Sequence, residues 1–289
     1  MSQTESPPPP PSLDARLPPE MADRAESAGV AKAALDPWKM LALAVMAGAF
    51  IAFGAIFSTV VAADSATLPF GVARLLIGLS FSLGLILVVV GGAELFTGDV
   101  LMVMAWASGK LGLPKMLKAW ALVYLGNLVG ALGTALLTFG AGHYLFGGAK
   151  VGLAALAIAN AKSAEPFLQA LLLGVLCNVL VCMAVWACFA ARSAADKVLV
   201  IVLPIAAFVA AGFEHSIANM YYLPEALLIQ SFAPDAFWQQ IAKLPTDSPT
   251  LSLANALANL AAVTLGNMIG GGALVAGMYW FIYLRSRRP

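Results

Sequence analysis

Ala211-Gly212-Phe213-Glu214-His215-Ser216-Ile217-Ala218-Asn219 interrupts an apolar run that begins near residue 198 and resumes as far as residue 232. A second run, residues 75–93, is cut in the same manner by Gly91-Gly92-Ala93-Glu94-Leu95-Phe96-Thr97-Gly98-Asp99, and apolar sequence returns at 100–107. Ionisable groups at mid-depth in lipid are costly unless they are paired or hydrated. Glycine followed by a carboxylate inside an apolar span therefore marks a helix that stops and restarts. Such broken helices are tolerated only where their freed backbone groups face protein or a water-filled path.

Composition agrees that lipid is the solvent. Of 289 residues, 61% are hydrophobic and 11% charged, against roughly 25% charged in a soluble domain. Uncharged runs fall at 40–63, 75–93, 119–149, 166–191, 198–213 and 248–284, each too long and too continuously apolar for barrel strands. The expected fold is all-α, with six transmembrane helices of which the second and fifth are broken. Residues 1–19 hold seven prolines and read as a disordered tail. Residues 20–36 read as an amphipathic helix at the membrane surface or against the protein. Residues 37–285 form the transport domain and 286–289 a short tail. No signal-peptide pattern opens the chain. Lys110, Lys115, Lys118, Arg192, Lys197 and the C-terminal arginines share one side, which places both termini in the cytoplasm. Nothing suggests nucleic acid, and Cys177, Cys182 and Cys188 in one apolar run read as small buried hydrophobes, without metal-site spacing.

Two patterns recur. Gly126-Asn127-Leu128-Val129-Gly130 in the third span matches Gly266-Asn267-Met268-Ile269-Gly270 in the sixth, and Gly92-Ala93-Glu94 matches Gly212-Phe213-Glu214. Three spans per half is an odd number, so the second half is inverted relative to the first. Breaks at matching positions of an inverted repeat point to a transport site. The Gly-x-x-x-Gly pairs read as close helix packing, with Asn127 and Asn267 bonded to neighbouring backbone. Glu94 and Glu214 are expected to accept bonds from the freed amides of their own broken helices, or from a neighbouring subunit. His215 stands alone at mid-membrane where a helix restarts. It can donate to an anion or pass a proton to it, and the N-terminus of the restarted half-helix adds positive potential.

These segments resemble the formate/nitrite transporter family, most closely its formate-channel branch. The resemblance runs over about residues 35–284 and is carried by Leu68-Pro69-Phe70-Gly71, Phe81-Ser82-Leu83-Gly84-Leu85-Ile86-Leu87, Glu94-Leu95-Phe96-Thr97, Ala107-Ser108-Gly109, Tyr124 to Leu132, Asp196-Lys197, Gly212 to Met220 and Gly266 to Gly272. It implies an aquaporin-like fold in a bacterial inner membrane, assembled as a homopentamer with a pore through each protomer, and no cofactor. By motif, Phe81 and Phe208 would form an outer constriction, and Leu85, Leu95 and Phe96 an inner one. Thr97 would hydrogen-bond His215. Asn178 and Lys162 would line or approach the outer vestibule and attract anions, while Glu94, Glu214 and Asn219 would support the breaks. Gly98-Asp99 departs from the small hydroxyl residues of that branch, and the Pro-rich tail has no counterpart.

The function these features imply is passage of a small monovalent anion, formate first, with proton or hydrogen-bond assistance from His215. Nitrite or hydrosulfide are alternatives within the family. A neutral-solute or water pore of aquaporin type would call for paired Asn-Pro-Ala breaks and a filter arginine, which do not occur. An intramembrane enzyme would need a nucleophile motif or metal spacing, also absent from the sequence. Lipid surrounds the assembly, and the tail offers a site for a cytoplasmic partner.

Overall fold

The computed structural model describes residues 14–287; most of the Pro-rich tail lies outside them. Among the described residues, six helices are long and apolar enough to cross a membrane: α2 (Pro37–Ala62), α3 (Phe70–Gly91), α6 (Leu113–Gly140), α8 (Phe167–Ala190), α9 (Ala194–Ala211) and the composite span Leu253–Tyr283. The last consists of α12 (Leu253–Asn267), a π-helical stretch (Met268–Gly277) and α13 (Met278–Tyr283). The remaining helices are α1 (Pro18–Ala33), α4 (Phe96–Asp99), α5 (Val103–Ala107), α7 (Lys150–Ala164), α10 (Ser216–Phe232) and α11 (Asp235–Gln240).

The two halves repeat element by element. Helix α1 answers to α7, α2 to α8, α3 to α9, the α4–α5 segment to α10, and α6 to the composite span. The sequence reading missed α7, treating its residues as the connection between the third and fourth spans. It also set the end of the tail too late. Pro18 and Pro19 open α1, where a proline's missing N–H would be unsatisfied anyway and its fixed φ suits a helix.

Helix α1 lies against the protein, packed on α5, α6, α8 and α13. It buries Met21, Ala22, Ala25, Glu26, Gly29 and Ala33 at helical spacing, and Glu26 pairs with Lys110. Helix α2 starts cleanly because Asp36 Oδ1 accepts from the Trp38 and Lys39 amides at 3.1 Å. Pairs of long helices then approach closely. A methyl group at Gly130 would overlap the Val45 carbonyl of α2, and one at Gly270 the Val175 carbonyl of α8. The Gly-x-x-x-Gly motifs thus clamp α6 on α2 and the last span on α8, where dispersion and close packing replace a hydrophobic driving force.

Large exposed apolar side chains such as Leu79, Leu136, Leu172, Leu203 and Phe281 lie on the outer surface. The polar residues Thr97, Asn127, Asn178, Asn219 and Asn267 are fully buried. This inside-out distribution is what lipid as solvent demands.

Candidate pore and its central site

Each broken helix ends on a glycine in the left-handed region, Gly92 at φ 74° and Gly212 at φ 78°. That conformation turns the chain out of the helix, and only glycine adopts it without strain. The next amide turns back to its own helix, from Ala93 to the Val88 carbonyl at 2.9 Å and from Phe213 to the Phe208 carbonyl at 3.0 Å. The glutamate amides then cross to a neighbouring span, Glu94 to the Leu43 carbonyl and Glu214 to the Leu173 carbonyl, both at 3.3 Å.

The gap between helix stop and restart is filled by an asparagine from the Gly-Asn-x-x-Gly motif. Asn127 Oδ1 accepts from the Phe96 amide at 2.9 Å, while its Nδ2 donates to the carbonyls of Ala44 at 2.8 Å and Glu94 at 2.9 Å. Asn267 does the same in the second half. Its Oδ1 accepts from the Ser216 amide at 2.9 Å, and its Nδ2 donates to Gly174 at 2.8 Å and Glu214 at 3.0 Å. One side chain thereby satisfies three backbone groups that a broken helix would leave unpaired in a dry interior.

The freed amides are therefore taken by asparagines, and the expectation that Glu94 and Glu214 receive them is wrong. The glutamates pair with lysines instead. Lys162 of α7 donates to Glu214 Oε1 at 2.5 Å, and Asn219 Nδ2 donates to Oε2 at 2.6 Å. Lys32 of α1 reaches Glu94 at 2.8 Å and Asp99 at 2.6 Å. Lys32 was not among the residues singled out. Its signal was present in the repeat, since Ala31-Lys32-Ala33-Ala34 shortly before a proline matches Ala161-Lys162-Ser163-Ala164.

Two cavities approach the breaks from opposite sides. One, of about 400 Å³, lies beside α7 and is lined by Arg74, Lys162, Glu165, Phe81, Phe208 and His215 among others. The other, of about 680 Å³, lies beside α1. It is lined by Lys32, Glu94, Asp99, Leu85 and Leu95, with Arg16, Arg24, Arg192 and Lys197 around it. Between them the Phe81 and Phe208 rings meet edge to face at 5.6 Å, and the Phe208 ring stacks on His215 at 5.8 Å. Leu85, one turn beyond Phe81 on α3, and Leu95 close the α1 side; all four apolar side chains are buried.

His215 lines the α7-side cavity beside the Phe208 ring. Its Nδ1 accepts from the Ala218 amide at 3.1 Å, so the ring caps α10. Its Nε2 lies 3.0 Å from Thr97 Oγ1. With Nδ1 occupied as an acceptor, the neutral ring carries its proton on Nε2 and donates to Thr97. The hydroxyl hydrogen of Thr97 is then free to turn toward a passing solute.

Two of the expected pore residues lie elsewhere. Asn178 is fully buried and lines neither cavity. It donates to the Thr97 carbonyl at 3.1 Å and the Asn267 carbonyl at 2.7 Å, tying the first break to the second. Phe96 also lines neither cavity. Its ring packs against Trp120 and Tyr124 of α6 at 6.1 and 5.0 Å, because the Asn127 bond to its amide fixes the backbone just there. Arg74, which the sequence reading did not single out, lines the α7-side cavity. It donates to the Val209 and Ala210 carbonyls at the end of α9, at 2.5 and 2.9 Å, a favourable place for a cation.

A family model described as the formate/nitrite transporter matches residues 19–281. The chain belongs to this family. It is 46% identical to the formate channel FocA of Escherichia coli K12 over 275 residues, covering 95% of this chain and 96% of FocA. It is 38% identical to the formate channel FocB of the same organism over 276 residues, covering 95% and 98%. A solved pentameric formate channel with formate bound superposes with a TM-score of 0.82 at 45% identity, over 86% of this chain and 98% of the other. Membership makes the protein an integral membrane transporter rather than an enzyme.

Proposed function

We propose that the protein is a formate channel, assembled as a homopentamer in the bacterial inner membrane with both termini cytoplasmic, in which each protomer carries its own pore. The observation that carries this reading is the Thr97–His215 contact at 3.0 Å, set between an aromatic pair and a leucine pair at the meeting point of two cation-bearing cavities. The kinship to formate channels and the Lys/Arg asymmetry of the loops support it.

An anion stripped of water cannot cross two dry rings cheaply. Lys162 and Arg74 draw it into the cavity beside α7, and Lys32 with the surrounding arginines does so on the other side. At the centre, Thr97 and the Nε2–H of His215 supply hydrogen bonds in place of lost water. A proton on the imidazole as a whole would cost the Nδ1 bond to the Ala218 amide. His215 therefore acts first as an oriented donor, and an anion that has taken a proton from water in the cavity passes the phenylalanine and leucine pairs as a neutral or nearly neutral acid. Asn178, Glu94, Glu214 and Asn219 hold the breaks.

Competition in one proteoliposome assay tests the substrate. Formate flux inhibited by excess formate, and more weakly by nitrite or hydrosulfide, is the expected result. Nitrite outcompeting formate would move the substrate within the family. Flux of urea or glycerol at the formate rate would contradict an anion pore altogether.

A further inference from the structure

Asp99 is the residue that the pore as described does not use. It lies 1% exposed on α4, five residues after Glu94, in the place that Asn219 holds after Glu214. In the second half the accounting is neutral: Glu214 takes one bond from a lysine and one from the Asn219 amide. In the first half a single ammonium, Lys32 Nζ, serves two carboxylates at 2.8 and 2.6 Å. Asp99 Oδ2 is buried and has no hydrogen-bond donor among the described residues. Two carboxylates that share one ammonium in a buried site repel, and such pairs are relieved by sharing a proton. A protonated aspartic acid is also the isostere of asparagine. Its O–H can donate to Glu94 as the Asn219 amide donates to Glu214.

We propose that Asp99 and Glu94 hold one proton between them, forming a second proton site on the α1 side of the pore, distinct from His215. With the proton bound, the loop and Lys32 sum to zero charge. When the proton leaves to the cavity, one net negative charge remains beside Leu95, on the route of the anion. Passage of the anion then falls as pH on the α1 side rises.

The surroundings fit this assignment. From α1 the facing group is Lys32; from α8 it is the Cys182 thiol, which donates to the Thr97 carbonyl at 3.3 Å. From α6 the Trp120 indole N–H donates to the Asp99 carbonyl at 3.0 Å, and Tyr124 packs on Phe96. The π-helical stretch offers only glycine and apolar residues. At the start of α10, His215 is reached only through Thr97. Arg16, Arg24, Arg192 and Lys197 around the cavity favour loss of the proton, so the site can release it to that side.

The transport arm of the test rests on the proposed anion pore; the spectroscopic arm does not. Infrared spectra of the full chain in liposomes should contain a protonated-carboxyl carbonyl band near neutral pH that disappears at alkaline pH and is weaker by one carboxyl in Asp99→Asn. An undiminished band in Asp99→Asn would overturn the proposal, since buried Glu225 or half-buried Glu165 would then be its whole source. In oriented proteoliposomes with pH set separately on each side, wild-type formate flux should fall about tenfold as α1-side pH rises, as one unit charge near a partly hydrated path implies. Asp99→Asn and Asp99→Ser should lose that fall and keep only the dependence set by protonation of the solute itself. An unchanged α1-side pH dependence in both variants would overturn the proposal as well. Absence of formate flux in every form, with the infrared difference intact, would contradict the pore reading alone.

Discussion

Leu95 stands where the first broken helix restarts, and His215 stands at the same place in the second. Thr97 faces Ile217 in the same comparison, and Asp99 faces Asn219. Around these three differences the scaffold is repeated: a left-handed glycine, a bridging asparagine, and a glutamate held by a lysine from a short helix. The repetition explains how the breaks survive in lipid, and the differences locate the chemistry. Residues that match between the halves hold the chain open. Of the residues that do not match, Thr97 of one half and His215 of the other meet at the centre in a single polar contact.

Removing the lysine of one half breaks the comparison most severely. Lys162→Met strands the buried Glu214 carboxylate and should cost about 3–5 kcal/mol, read as a drop in thermal midpoint of the assembled protein in detergent. Adding Glu214→Gln should recover most of that loss, because the uncompensated charge is gone. A double variant no more stable than the single one would mean the pair does not carry the second break.

Next in size are the bridging asparagines. Asn127→Leu and Asn267→Leu each leave one amide and two carbonyls without partners, for about 3 kcal/mol apiece or more. The two losses should be similar, since the bonds are. A large loss in only one would show that the halves are not supported in the same way.

The central contact divides the halves functionally. Thr97→Val keeps the volume but removes the hydroxyl, and should lower formate flux about fivefold to tenfold, the equivalent of one hydrogen bond of about 1 kcal/mol. Ile217→Val, at the matching position, should leave flux in place and cost about 1 kcal/mol of stability.

The smallest effect belongs to Glu165, at the end of α7. Burial, and then the nearby Glu214, push its carboxyl up to about 7, while Lys162 pulls the other way. The folded protein thus binds this proton more tightly than the unfolded chain does. The stability it contributes is present below the ordinary carboxylate range and is lost as pH rises toward about 7. Glu165→Gln should remove that part of the pH dependence from the thermal midpoint.

Much of this architecture was legible in the sequence because lipid makes the reading simple. Long uncharged runs are helices, and a glycine with a carboxylate inside one is a break. The repeat and the asparagine motifs followed from identity of pattern. Helix α7 was missed because alanines such as Ala155 and Ala159 supply much of its buried face and its ends carry lysines, so neither length nor hydropathy marked it. The Lys–Glu pairs went unseen for the same reason, being contacts between segments far apart in the chain. Asn178 and Phe96 were misplaced because a motif gives the position of a residue but not the direction of its side chain. Asn178 turns to two carbonyls and Phe96 to the rings of α6.

The most direct measurement is formate flux into proteoliposomes across a series of external pH, wild type against His215→Asn. The account predicts uptake that rises as pH falls in the wild type, and a variant in which this proton-linked uptake is lost. An unchanged, pH-dependent uptake in His215→Asn would contradict it.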